Sequence, residues 1–193
     1  MDKGVGALAA QTWCCRGCHA PRPTIAETID VRIQDATPAD PPLNFVFGYS
    51  LGLARYDFLA ALGPTEVERD LFVGRLLRPD GSTITDWVTY HGRHRIMIRA
   101  SKNVSYRRCD ECGRVVYFGM GKRYLYPPPP DQGDIFVSDW SGLVVREHIM
   151  ARVNLNKWKK VKVEKLPVVN KPRDSLGELI PGENKAEKEK GTS

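Results

Sequence analysis

The residues best equipped for chemistry are five cysteines, Cys14, Cys15, Cys18, Cys109 and Cys112, in two clusters about 90 residues apart. Each cluster contains a C-x-x-C. Two intervening residues let both thiolates of a tight turn point at one ion, while backbone N–H groups offset the sulfur charge. Two such knuckles complete a tetrahedral four-thiolate zinc site with bonds of about 2.3 Å. The second knuckle, Cys109-Asp110-Glu111-Cys112-Gly113, is well formed, because a glycine after the second cysteine accepts the positive φ of the turn. The first, Cys15-Arg16-Gly17-Cys18-His19, is less regular. The pattern predicts one Zn2+ per chain, bound by Cys15, Cys18, Cys109 and Cys112, with the intervening domain inserted between the two halves of the site. The alternative is two separate sets of free thiols. Cys14 and His19 are surplus: bystanders in the simplest reading, although either could replace Cys15 or Cys18. An odd cysteine count without a visible export signal argues against a disulfide framework.

Other motifs carry less. Cys15 to His19 also reads as C-x-x-C-H, the c-type haem attachment sequence. Haem attachment happens outside the cytoplasm and needs an export signal, and the surrounding sequence reads mostly as β-structure. A thioredoxin-like role needs the motif at a helix N-terminus after a βαβ pattern, which is lacking. His91-Gly92-Arg93-His94 lacks the glutamate of a zinc-protease helix and reads as a basic surface loop. Gly119-Met120-Gly121-Lys122 has the wrong spacing for a phosphate loop. No G-x-S-x-G and no paired carboxylates appear, so the chain is read as a non-enzyme.

The elements that must position the cysteines follow from patterning. Five prolines between Pro21 and Pro42 predict extended chain after the first cluster, with short strands at 29–33 and 43–47. Residues 54–62 predict a helix burying Phe58, Leu59 and Leu62, stopped by Gly63-Pro64. Residues 71–99 predict strands around a Pro79-Asp80-Gly81-Ser82 turn. Residues 106–117 read as strand, knuckle, strand, and Pro127 to Pro130 as a stiff exposed loop. A strand follows at 135–137. Asp139 or Ser141 is then expected to cap a helix running to about 152, with Val144, Val145, His148 and Ile149 facing inward. WKKVKVEKL at 158–166 predicts an edge strand with a basic outer face. The organisation expected is a flexible terminus at 1–12, a zinc-stapled domain at 13–170, and a disordered Lys/Glu/Gly/Pro-rich tail at 171–193.

The 193 residues are 41% hydrophobic and 27% charged, which excludes a wholly disordered chain. No apolar run reaches the ~20 residues that span a bilayer, so no membrane partner is expected and the expected location is the cytoplasm. The net charge of +6 resides entirely in residues 102–165, with 13 basic and 7 acidic residues. That field favours an anionic partner, nucleic acid or an acidic protein surface. Tyr106, Arg107, Arg108, Arg114, Tyr117, Lys122, Arg123 and Tyr124 interleave rings with cations, as a nucleic-acid surface can. The simpler reading is that the same tyrosines are half-buried strand residues with Arg and Lys facing water.

Cys15/Cys18, the run RRCDECGR at 107–114 and DIFVSDWSGLVV at 134–145, followed by a helix and a terminal strand, resemble the double-CXXCG-motif proteins of myxobacteria. These are grouped with immunity proteins that neutralise polymorphic toxins. The resemblance spans about 13–168, and His19 stands where the family has glycine. It implies a zinc-stapled α+β protein that acts by binding. The fold class expected is α+β: a sheet-rich single domain with a split, zinc ribbon-like four-cysteine site. The expected function is neutralisation of a cognate protein toxin, with a zinc-ribbon nucleic-acid-binding protein as the alternative.

Overall fold

A computed structural model describes residues 15–18, 26–33, 42–47, 51–96, 98–100, 106–112, 115–117, 123–128, 130–138, 142–158 and 160–168. The expected flexible terminus, Cys14, His19 and the expected disordered tail lie outside the described residues. Within them the fold is mixed α and β, as the patterning predicts.

The largest element is a mixed sheet of β1 (Val31–Arg32), β4 (Leu71–Leu77), β5 (Thr83–Gly92), β3 (Leu51–Arg55) and β2 (Leu43–Phe47), in that spatial order. β1 runs parallel to β4 and the other pairs are antiparallel. The β4–β5 turn is the expected one. The Asp80 carboxylate accepts the Ser82 amide at 2.8 Å and its hydroxyl at 2.7 Å, an Asx turn between two strands.

Helix α1 (Tyr56–Leu62) buries Phe58, Leu59 and Leu62, the three residues its spacing predicts. Gly63-Pro64 ends it as expected, with Gly63 at φ 112°. Pro64 occupies the first turn of a second helix, α2 (Pro64–Asp70), where its missing N–H costs nothing. The glycine–proline pair is thus a junction between two short helices, the second of which the sequence pattern does not announce.

Alternation places the two sheet faces in different cores. On one face, Ala54 and Tyr90 pack with α1, Ile135, Val137, Ile149, Val153 and Trp158. On the other, Leu51, Leu53, Ile84 and Trp87 are covered by Ile29 and Val31 of the segment arriving from the first knuckle. Three polar contacts pin that segment. The Thr89 hydroxyl donates to the Ile29 carbonyl. His91 Nε2 donates to the Glu27 carbonyl at 2.6 Å, which fixes the protonated nitrogen because a carbonyl only accepts. The Asp30 carboxylate takes the Arg75 amide at 2.7 Å and its guanidinium at 2.6 Å. Gly74 lies directly beneath. A Cβ there would collide with the Ile29 carbonyl oxygen, so the crossing depends on a residue without one.

Further on the chain are β6 (Arg95–Ile96), β7 (Arg99–Ala100), β8 (Tyr106–Arg108), β9 (Val115–Tyr117), β10 (Arg123–Tyr124), β11 (Ile135–Ser138) and β12 (Leu143–Val145). β11 lies between β12 and β6, β8 pairs with β9, and β10 pairs with β7.

Two expectations fail here. The helix expected up to 152 is a strand followed by one turn. Leu143, Val144 and Val145 pair antiparallel with Val137, Phe136 and Ile135, as β-branched residues favour, and α3 covers only Glu147–Met150. Ile149 is buried, but His148 is exposed and faces Asp134 at 3.5 Å. Among the described residues of 158–166, the expected basic edge strand is also absent. Leu155–Lys157 is a 3-10 turn, Lys160 has φ 63°, and 161–167 join no ladder. The left-handed residue breaks the extended geometry a ladder requires. Only Val168 pairs, through an isolated bridge to Leu125.

A buried acid ties α2 to β11. Asp70 is fully buried, salt-bridged to Arg69 at 2.7 Å, and accepts the amides of Asp134 at 2.7 Å and Ile135 at 2.9 Å. Burial pushes its carboxyl up. Arg69 and the two amides outweigh that effect and hold it below the ordinary carboxylate range.

Candidate metal centre

β8 and β9 pair antiparallel, with Arg108 opposite Val115, so Cys109 to Cys112 form the tip of a hairpin. Cys15 to Cys18 form a turn, delivered by the chain whose continuation crosses Gly74 and joins β4. The two tips meet. Cys15 Sγ lies 3.6 Å from Cys109 Sγ, and Cys18 Sγ lies 3.6 Å from Cys112 Sγ. All four sulfurs fall within 4.8 Å of one another.

These separations suit one ion. Bonds of about 2.3 Å in a tetrahedron put neighbouring sulfurs about 3.8 Å apart. A polynuclear iron–sulfur cluster distributes its thiolates over several metals and needs a wider cage. The donor set, four soft thiolates close enough to share one ion, favours Zn2+ or a single iron over hard cations.

The backbone is prepared for negative sulfur in the same way on both sides. The amides of Gly17 and Cys18 donate to Cys15 Sγ, and those of Glu111 and Cys112 donate to Cys109 Sγ. Each knuckle therefore turns two N–H groups onto its first sulfur. The outcomes differ. At Cys109 the Cys112 amide dominates over burial and brings the thiol down to about 7. At Cys15 burial dominates and pushes the thiol up. The two facing thiols are therefore pushed in opposite directions, Cys109 towards the thiolate and Cys15 towards the thiol.

The four cysteines that the sequence pattern singles out are brought together, but what lets them approach was not anticipated. Gly17 is packed so tightly against the facing knuckle that a side chain there would press on the Cys109 sulfur. The signal was present as the glycine within Cys-Arg-Gly-Cys. The Glu111 carboxylate, 3.4 Å from Cys15 Sγ, was also not anticipated.

The remaining motif residues lie elsewhere. His91 is a buried strand residue stacked on Phe72, not part of a surface loop, and His94 is half-buried beside Phe136. Tyr124 is buried and Arg123 is paired with Glu164. Gly119 to Lys122 and the side chains of 106–108 and 115–117 lie outside the described residues. Among the described residues, no helix is long and apolar enough to cross a membrane. No protein-family model, curated protein or solved structure matches the chain, so the functional reading rests on these residues.

Proposed function

We propose that the chain is a non-catalytic, zinc-stapled binding protein of immunity type that occludes a cognate protein toxin. The observation that carries the zinc assignment is the clustering of four cysteine sulfurs within 4.8 Å, drawn from positions 94 residues apart. The ion clamps the N-terminal segment to the β8–β9 tip, so its binding energy is folding energy. The immunity part is supported by the motif resemblance at Cys15/Cys18, 107–114 and 134–145. It is also supported by the +6 balance of residues 102–165, suited to an acidic protein surface.

The nucleic-acid alternative draws less support from the described part of its surface. A buried Tyr124 cannot stack a base, and Arg123 already serves Glu164. Native mass spectrometry of metal-replete protein should give one zinc per chain, lost in Cys109→Ser. If a toxin is encoded beside this gene, titration against it should give a 1:1 complex and abolish its activity. Sequence-independent binding to single-stranded RNA that falls steeply with salt would transfer the reading to nucleic acid.

A further inference from the structure

The four sulfurs are not equivalent. Cys15 and Cys109 are buried, Cys18 is half-buried and Cys112 is exposed. The two accessible sulfurs face each other across the knuckles at 3.6 Å. A disulfide needs about 2.05 Å, so the bond requires an approach of only about 1.5 Å. Each within-knuckle pair joins one buried sulfur to one accessible one. Cys18 with Cys112 is the pairing in which an oxidant from solvent reaches both partners.

We propose that Cys18 and Cys112 form an oxidation-sensitive pair. A peroxide-class oxidant converts the four-thiolate centre into a cross-knuckle disulfide, expelling the metal while the two chain segments stay joined. The proposal rests on the metal reading above. The Cys112 thiolate attacks one peroxide oxygen, breaks the O–O bond and becomes a sulfenic acid, releasing hydroxide. The Cys18 thiolate attacks that sulfur and displaces a second hydroxide. Two sulfurs have each given one electron, and the peroxide has taken both. The ion, left with Cys15 and Cys109, dissociates, and those thiolates take up protons from water.

The joint is what distinguishes this outcome from simple damage. A disulfide within a knuckle would also cost the metal its ligands, but would let the two tips part. A Cys18–Cys112 bond spans the same 94-residue separation that the metal spans. It therefore replaces one clamp by another, and the oxidised chain keeps its N-terminal segment against the hairpin tip.

The test uses the zinc-loaded full chain, titrated with hydrogen peroxide while a chromophoric chelator reports released zinc. Free thiols are then blocked with N-ethylmaleimide. Trypsin, cutting after Arg16 and Arg108, and an Asp-directed protease, cutting before Asp110, place Cys15, Cys18, Cys109 and Cys112 on separate peptides. The expected first linkage joins the Cys18 peptide to the Cys112 peptide, with one zinc released per disulfide. Oxidised protein should also melt well above chelator-treated reduced protein. Cys15–Cys18 or Cys109–Cys112 as the first linkage, or zinc release without a Cys18–Cys112 bond, overturns the proposal. The zinc content before peroxide tests the metal reading separately. If that content is zero, the metal reading and metal expulsion both fail, while the same peptide map still decides whether Cys18 and Cys112 are the pair.

Discussion

A Cβ on Gly17 would stand 3.0 Å from the sulfur of Cys109, so a side chain at residue 17 fits only if the facing knuckle gives by a few tenths of an ångström. Gly17→Ala should weaken zinc binding, and Gly17→Val should weaken it more. For valine the expected loss is about tenfold or greater, the size of an overpacking cost of 1–3 kcal/mol. Competition against a chromophoric chelator measures it. Unchanged affinity in Gly17→Val would mean the tips are looser than described.

Metal removal should affect the molecule unevenly. The two cores of the large sheet contain no cysteine. Chelation should lower the melting temperature, with a loss of several kcal/mol, while leaving most of the far-UV circular dichroism of the sheet in place. Hydrogen exchange should rise first at 15–18 and 106–117. Complete loss of β-signal on chelation would show that the sheet depends on the ion.

Asp70→Ala should cost about 3 kcal/mol. It leaves the amides of Asp134 and Ile135 without their acceptor in the interior and removes the buried partner of Arg69. Urea unfolding measures the change. A shift under 1 kcal/mol would show that water or a rearranged loop satisfies those amides.

Acid should destabilise the fold through the same group. The Asp70 carboxyl is held below its unfolded value of 3.8, so the native state favours the charged form. The stability this provides is present above the unfolded value and is lost as pH falls through the lower, folded one. Asp30, lowered chiefly by its hydrogen bonds from Arg75, acts in the same direction at the surface. The melting temperature should therefore decline below about pH 4. Asp70→Asn should start lower and fall less steeply over that range.

Gly74→Ala should disturb a centre that it does not touch. The added methyl strikes the Ile29 carbonyl, a backbone atom that moves only with its segment. That segment continues from the first knuckle, so both stability and zinc affinity should fall. Stability should drop by about 1–3 kcal/mol. A large loss of stability with unchanged zinc affinity would uncouple the crossing from the centre.

Much of this was legible in the sequence, and its limits have physical reasons. Phe58, Leu59 and Leu62 announced α1 because three apolar residues on one helical face have few other places to go. The four cysteines announced their cluster because spacing within a knuckle is a local property. Long-range pairing decided the rest. Leu143 to Val145 satisfy a helical stripe as well as a strand, and β11 settles the matter by offering a ladder. Gly63-Pro64 was legible as the end of α1, but α2 after it is mostly exposed or half-buried, with Asp70 alone buried, and so carries little apolar pattern to read. Asp70 gave no signal, since its partners lie 64 and 65 residues away.

The 94-residue gap between facing thiols also orders events during synthesis. Cys15 and Cys18 leave the ribosome long before Cys109 and Cys112, and domains take shape from the N-terminus as the chain emerges. The first knuckle must wait, half a binding site, while β3, β4 and β5 assemble from the stretch between. The chain from 26 to 33 also needs β4 and β5 in place before it can cross them. Contacts of such sequence separation form slowly, because loop closure is paid before they reward it. The emerging chain therefore passes through an interval in which the first knuckle is out and the second is not, and the two can close on each other only once the hairpin of β8 and β9 has followed.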